Sequence, residues 1–136
     1  FEIVAPADAI VEIHEFCISQ SSDVGDAAEE GLAVEWKSGA TVSGSGGSSV
    51  TPAPLEFGDA AFGGTCEANN TTKANTGTIV THLSMNWNIR IPLQQIFTPE
   101  SRPILSPSRR GTLELVNAPA DALTVSGYVV FREVGG

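Results

Sequence analysis

The chain is short of cations, aromatics and sulfur: seven Lys and Arg stand against sixteen Asp and Glu, aromatics make up 7%, and there are two cysteines and one methionine. Each scarcity excludes something. A formal charge of -9 leaves too few basic groups to displace counterions from a polyphosphate, so nucleic acid is not an expected partner. Cys17 and Cys66 permit one disulfide at most, which would contribute ~3–4 kcal/mol in the chain-entropy model. Cys17 lies in an apolar strand, where a free thiol acts as a small hydrophobe, and neither a C-x-x-C pair nor a zinc spacing is present. No run approaches the ~20 apolar residues that span a bilayer, so no membrane partner is expected. Phe1–Ile18 carries several carboxylates where a secretory signal needs a basic start and an apolar core.

Catalytic signatures are missing too. The serines include no G-x-S-x-G elbow, and the only histidines, His14 and His82, fall inside predicted strands. The Gly-rich stretch lacks the Lys-Ser/Thr ending of a phosphate-cradling loop and is not set between a strand and a helix. Glu12, His14 and Glu15 with Asp23 and Asp26 supply metal-type side chains, but Glu12 and His14 sharing one strand face give only two ligands where a closed site needs more. The sixteen carboxylates offer no identifiable glycosidase pair. The expectation is a protein that is not an enzyme, with no catalytic, cofactor-binding or metal residues.

What is there is period-two alternation. From Thr78 to Pro92, Ile79, Thr81, Leu83, Met85, Trp87, Ile89 and Ile91 fall on one side, and His82, Ser84, Asn86, Asn88 and Arg90 on the other. A strand sends successive side chains to opposite faces, so the pattern predicts a long strand with one oily wall and a sandwich or barrel core. With 136 residues and 41% hydrophobic content, residues 1–136 fit one domain able to bury its own core.

Phe1–Val4 reads as a strand, Ala5-Pro6-Ala7-Asp8 as a turn, and Ala9–Ser19 as a second strand that is half apolar on both sides. Val11, Ile13 and Cys17 oppose Ile10, Phe16 and Ile18, which predicts either burial on both faces or a bulge near His14-Glu15. Leu32, Val34 and Trp36 mark a short strand. Residues 38–54, rich in Gly and Ser with Pro52 and Pro54, predict a mobile loop. Glu67–Gly77 predicts another, and its Asn69-Asn70-Thr71 and Asn70-Thr71-Thr72 triplets match the N-glycosylation pattern. Gln94–Ser108 reads as an extended crossover, Thr112–Asn117 as a strand and Ala122–Val134 as the closing strand, with Gly127 marking a bulge or a close backbone approach. Ala5-Pro6-Ala7-Asp8-Ala9-Ile10 and Ala118-Pro119-Ala120-Asp121-Ala122-Leu123 are near copies, each leading into a long strand.

Charge is uneven along the chain. Residues 1–67 hold twelve acids and one base, whereas residues 68–136 hold four acids and six bases. Segregation of that kind in space would favour a head-to-tail contact between copies, and solvated surface charge is the plainer reading. Arg102, Arg109 and Arg110 form the basic cluster, either as solvated turn residues or as an anchor on an acidic neighbouring surface.

The opening Phe1-Glu2-Ile3-Val4-Ala5-Pro6-Ala7-Asp8-Ala9, the segment Asn88-Ile89-Arg90-Ile91-Pro92 and the ending Gly127-Tyr128-Val129-Val130-Phe131-Arg132-Glu133, in this strand order, resemble the small jelly-roll head decoration (cement) proteins of tailed-phage virions. The resemblance covers most of the chain and brings no catalytic or binding motif. It implies an all-β, antiparallel β-sandwich of jelly-roll type, a homotrimeric virion subunit on the outer capsid surface, and the major capsid protein as partner. Candidate interface residues are Arg102, Arg109, Arg110, Phe1 and Ile3. Two other functions are weighed: a subunit of an extracellular filament, with Phe1–Val4 added to a neighbour's sheet edge, and a carbohydrate-binding module using Trp36 or Trp87 as a sugar platform.

Overall fold

Ten strands run along residues 1–22 and 30–135, the part of the chain that the computed structural model describes: β1 (Glu2–Val4), β2 (Ala9–Gln20), β3 (Gly31–Val42), β4 (Ser48–Val50), β5 (Thr65–Ala68), β6 (Asn75–Asn88), β7 (Leu93–Ile96), β8 (Ile104–Leu105), β9 (Arg110–Leu115) and β10 (Val125–Gly135). One turn of 3-10 helix, Pro99–Ser101, is the only helical element among the described residues. The strands form a six-stranded sheet in the order β4-β5-β1-β9-β3-β6 and a four-stranded sheet in which β2 lies between β10 and β7 and also pairs with β8. All pairings are antiparallel.

The inner faces of both sheets meet in one core. Ile3, Leu32, Val34, Trp36, Cys66, Trp87 and Leu113 come from the larger sheet, and Val11, Ile13, Phe16, Ile18 and Leu105 from the smaller. The expected antiparallel β-sandwich is therefore present. Burial of these side chains supplies its main favourable term, at ~1.5–3 kcal/mol for each large aliphatic or aromatic group removed from water.

β2 is apolar on both sides because a bulge changes its phase. Val130 pairs with Glu15 and Phe131 with Ile13, leaving His14 as the extra residue. Before the bulge the odd-numbered Ala9, Val11 and Ile13 face the core; after it the even-numbered Phe16 and Ile18 do. Gly127 opposes Ile18 in close approach, since a Cβ there would lie 2.2 Å from the Cys17 carbonyl oxygen. The two near-copy hexapeptides lead into β2 and β10, which pair with each other in opposite directions.

Two expectations need correcting. β6 is not one continuous oily wall: its pairing with β3 skips His82, and the phase changes there. Leu83 and Met85 pack on the core and Trp87 is buried, but Ile79 and Val80 are exposed, at the end of β6 that pairs with residues 37–42 of β3.

Nor are residues 38–54 a loop throughout. Ser38–Val42 continues β3, Ser48–Val50 is β4, and Ser45 bridges Thr72. The small residues are needed because neighbouring backbone comes very close: a Cβ on Gly47 would sit 2.2 Å from the Ala68 carbonyl oxygen. Arg110 donates to the Ala40 carbonyl oxygen, while Ser43 Oγ and Gly44 N donate to the Glu2 carboxylate at 2.7 and 3.0 Å. Low side-chain bulk here serves tight backbone packing, and the hydrogen bonds offset the entropy of ordering it.

Candidate interaction face

Register decides what each sheet shows to the outside. On the six-stranded sheet the outward residues at the middle of β3, β6 and β9 are polar and paired, while Val42, Val50, Ile79 and Val80 are exposed toward its ends. Lys37 Nζ lies 2.8 Å from Glu35 and 3.2 Å from Glu114, Thr112 donates to Glu114, and Ser84 donates to Glu35. The hydrogen bond from Lys37 holds the Glu35 carboxyl below its ordinary range, and the same bond raises the Lys37 ammonium.

The four-stranded sheet is different. Its outward rows, read across the strands, are Val134 and Ile10; Arg132, Glu12 and Ile104; Val130, Glu15 and Ile96; Tyr128, Cys17 and Gln94; Ser126 and Ser19. Ile96 is 64% exposed, Ile104 59% and Tyr128 49%. An antiparallel sheet with one solvated face ordinarily turns polar residues outward. Here β-branched and aromatic side chains take six of those thirteen positions, Ile96, Ile104 and Tyr128 well exposed among them, and large exposed apolar patches mark contact surfaces.

Polar groups within the face are tied to one another. Glu15 Oε1 accepts from Tyr128 Oη at 2.5 Å and from Gln94 Nε2 at 2.6 Å. The Tyr128 bond lowers the Glu15 carboxyl and correspondingly raises the phenol. Glu12 lies 3.4 Å from His14 and 3.8 Å from Arg102. Arg132 makes no ion pair among the described residues. The result resembles a protein–protein interface in composition: apolar and aromatic residues with a few fixed charges.

A second surface feature lies between the sheets. At the border formed by β4, β5 and β10, a cleft of about 780 Å³ opens between walls that include Ile18, Val50, Cys66, Leu113, Val129 and Phe131. Burial pushes the Cys66 thiol up to about 12. The chain joining β4 to β5 forms part of the cleft mouth through Thr51, Pro52 and Ala53, then projects into solvent. Leu55 is 91% exposed and Phe57 fully so. The segment returns where Phe62 stacks edge-on against Phe131 at 4.8 Å and Gly63 N donates to Glu133.

The residues expected at an interface are scattered. Ile3 is fully buried, and Phe1 is bonded through its ammonium to the Leu113 carbonyl oxygen, so neither offers itself to a partner. β1 pairs on both sides, with β5 and β9, which leaves it no free edge to donate to a filament. Arg110 is turned onto Glu2 and Arg102 toward Glu12. Arg109 alone of the three is exposed and without an ion pair among the described residues. The charge halves interleave in part of the larger sheet, where β9 and β6 from the second half flank β3, while β4, β5 and β1 from the first half lie side by side.

Trp36 and Trp87 are each 1% exposed, so neither presents a ring to a sugar; the Trp87 indole donates to the Ile91 carbonyl oxygen. Both cysteines are free thiols. Asn70, central to the glycosylation triplets, is held by Gly47 N and by Glu67. Ser38 Oγ approaches His82 Nε2 at 2.7 Å on an exposed ribbon, and no carboxylate bonds the imidazole there among the described residues. Asp23 and Asp26 lie outside the described residues, within which no three metal-type side chains gather.

Sequence reasoning missed Ile96, Ile104, Tyr128, Leu55 and Phe57. The apolar reading of β2 gave no signal for the face, since the bulge turns Val11, Ile13, Phe16 and Ile18 all to the core, and the exposed Ile96, Ile104 and Tyr128 lie on β7, β8 and β10. Comparisons with family models, with curated proteins and with solved structures find no match.

Proposed function

We propose that the protein is a non-enzymatic structural subunit that assembles with copies of itself and docks on a protein lattice. Its setting is the outer capsid surface of a virion, where a jelly-roll decoration subunit, as a homotrimer, would cement the major capsid protein. The observation that carries this reading is the outward apolar face of the four-stranded sheet, centred on Ile96, Ile104, Val130 and Tyr128.

The mechanism is area burial. A standard interface removes roughly 1,600 Å² from water, and repeated weak contacts across a lattice sum by multivalency. The negative charge favours protein over nucleic acid as the surface bound. No cofactor enters.

The test is twofold. Sedimentation and native mass spectrometry of the purified protein are expected to give a discrete homo-oligomer, and co-sedimentation with capsids is expected to retain it. A strict monomer that leaves capsids bare would sink the proposal.

A further inference from the structure

The segment between β4 and β5 projects two large apolar side chains into water although an apolar cleft lies at its base. Prolines at 52 and 54 restrict φ and remove backbone donors, steering the chain outward from the mouth. The far end is fixed by Phe62 on Phe131 and Gly63 on Glu133. Held at both roots, Leu55 and Phe57 form a knob outside their own cleft.

We infer that this arm seats Leu55 and Phe57 in the inter-sheet cleft of a second copy of the same chain, in reciprocal or cyclic exchange. Three observations point to a copy as the occupant. Knob and hole are neighbours: Thr51, Pro52 and Ala53 line the cleft mouth, and Leu55 follows two residues after Ala53. When one arm enters a neighbour's cleft, the neighbour's own arm therefore emerges beside the first copy, so a rotation axis near the mouth closes the contact.

The second is size. The cleft, at about 780 Å³, lies within the range of cavities that enclose compact apolar groups. An inserted Phe buries ~150–250 Å². The arm thus supplies the anchor residue, while the sheet face supplies the remaining area that a standard interface needs.

Charge is the third. Glu56 and Asp59 flank Phe57 and have no ion pair among the described residues. Lys73, its side chain 47% exposed, stands in the cleft wall, where its Nζ donates to the Val116 carbonyl oxygen and lies 3.9 Å from Glu114; in the proposed seating a carboxylate of the arm would share this ammonium.

The inference rests on the self-assembly reading, and the experiment separates the two. The Leu55→Ala/Phe57→Ala variant, altered only at exposed positions, should keep its circular dichroism and thermal transition while self-association weakens about 30-fold or more. A second variant carries Phe57→Cys and Val125→Cys in a Cys17→Ser, Cys66→Ala background, so that no native thiol remains; Val125 lies in the cleft wall. Mild oxidation should give a covalent multimer on a non-reducing gel, with a 57–125 disulfide between chains identified by peptide mass spectrometry.

An oligomer that survives the double alanine change and yields no interchain 57–125 disulfide overturns arm exchange and leaves self-assembly standing. A wild-type chain that is monomeric at all concentrations overturns both.

Discussion

Arg110 Nε lies 2.6 Å from Glu2 Oε1, tying β9 to β1 across 108 residues of sequence, and the Glu2 residue is only 4% exposed. The same carboxylate holds Ser43 and Gly44, so one buried charge fastens the Gly/Ser segment over the sheet. Burial alone would raise the Glu2 carboxyl; the bonds from Ser43, Gly44 and Arg110 outweigh it and hold the group below its usual value.

Removing that carboxylate strands a half-buried guanidinium. Glu2→Ala should cost about 3 kcal/mol in urea unfolding and raise amide exchange over residues 40–47. The sign with pH follows from the lowered folded value. This contribution is present above ~4.3, the unfolded carboxyl range, and is lost as pH falls through the lower folded value. An acid titration of stability should therefore be shallower in Glu2→Ala than in the wild type.

Ile96→Ser with Ile104→Ser changes only exposed side chains. Folding should move by less than about 1 kcal/mol, since surface substitutions seldom do more. Oligomer formation and capsid retention should fall sharply in sedimentation. Equal assembly by the variant would remove the sheet face from the proposal.

Tyr128 is the only tyrosine, so absorbance at alkaline pH reads one phenol. Its bond to the Glu15 carboxylate raises it above the ordinary value. The titration should return toward ~10 in Glu15→Ala. If Tyr128 becomes covered on assembly, dilution should also change the midpoint.

Gly39→Ala should be among the more damaging small changes. Gly39 has φ +97° at a β3 irregularity, and a Cβ would stand 2.0 Å from the Thr78 carbonyl oxygen. Backbone strain alone is worth ~1–3 kcal/mol, and the clash adds to it. Thermal denaturation measures the loss.

Strand periodicity was legible where one face meets the core, as in Leu32, Val34 and Trp36, because burial enforces the period of two. It misled along β6, where the phase changes at His82 and the apolar residues before it, Ile79 and Val80, are exposed while Leu83, Met85 and Trp87 meet the core. The Gly/Ser stretch reads as a loop by composition; its order comes from Glu2 and Asn70, partners distant in sequence. Arg110 looked available for the same reason, since local sequence shows the cation but not the carboxylate that meets it. Leu55 and Phe57 were hidden by averaging, as two apolar residues in a polar, proline-rich stretch leave little trace.

His14 is the surplus residue of β2: it lets odd-numbered side chains before it and even-numbered ones after it face the same way while β10 runs on unbroken. Deleting that one position would bring Glu15 directly after Ile13 and leave plain alternation, with Ile13, Phe16 and Ile18 still turned inward against the same β10 partners. Point replacements at His14 should be mild as well, since its backbone rather than its imidazole does the offsetting. Position 14 is therefore a slack point in an otherwise fixed ladder: a library of substitutions there, and the single-codon loss too, should still yield folded protein.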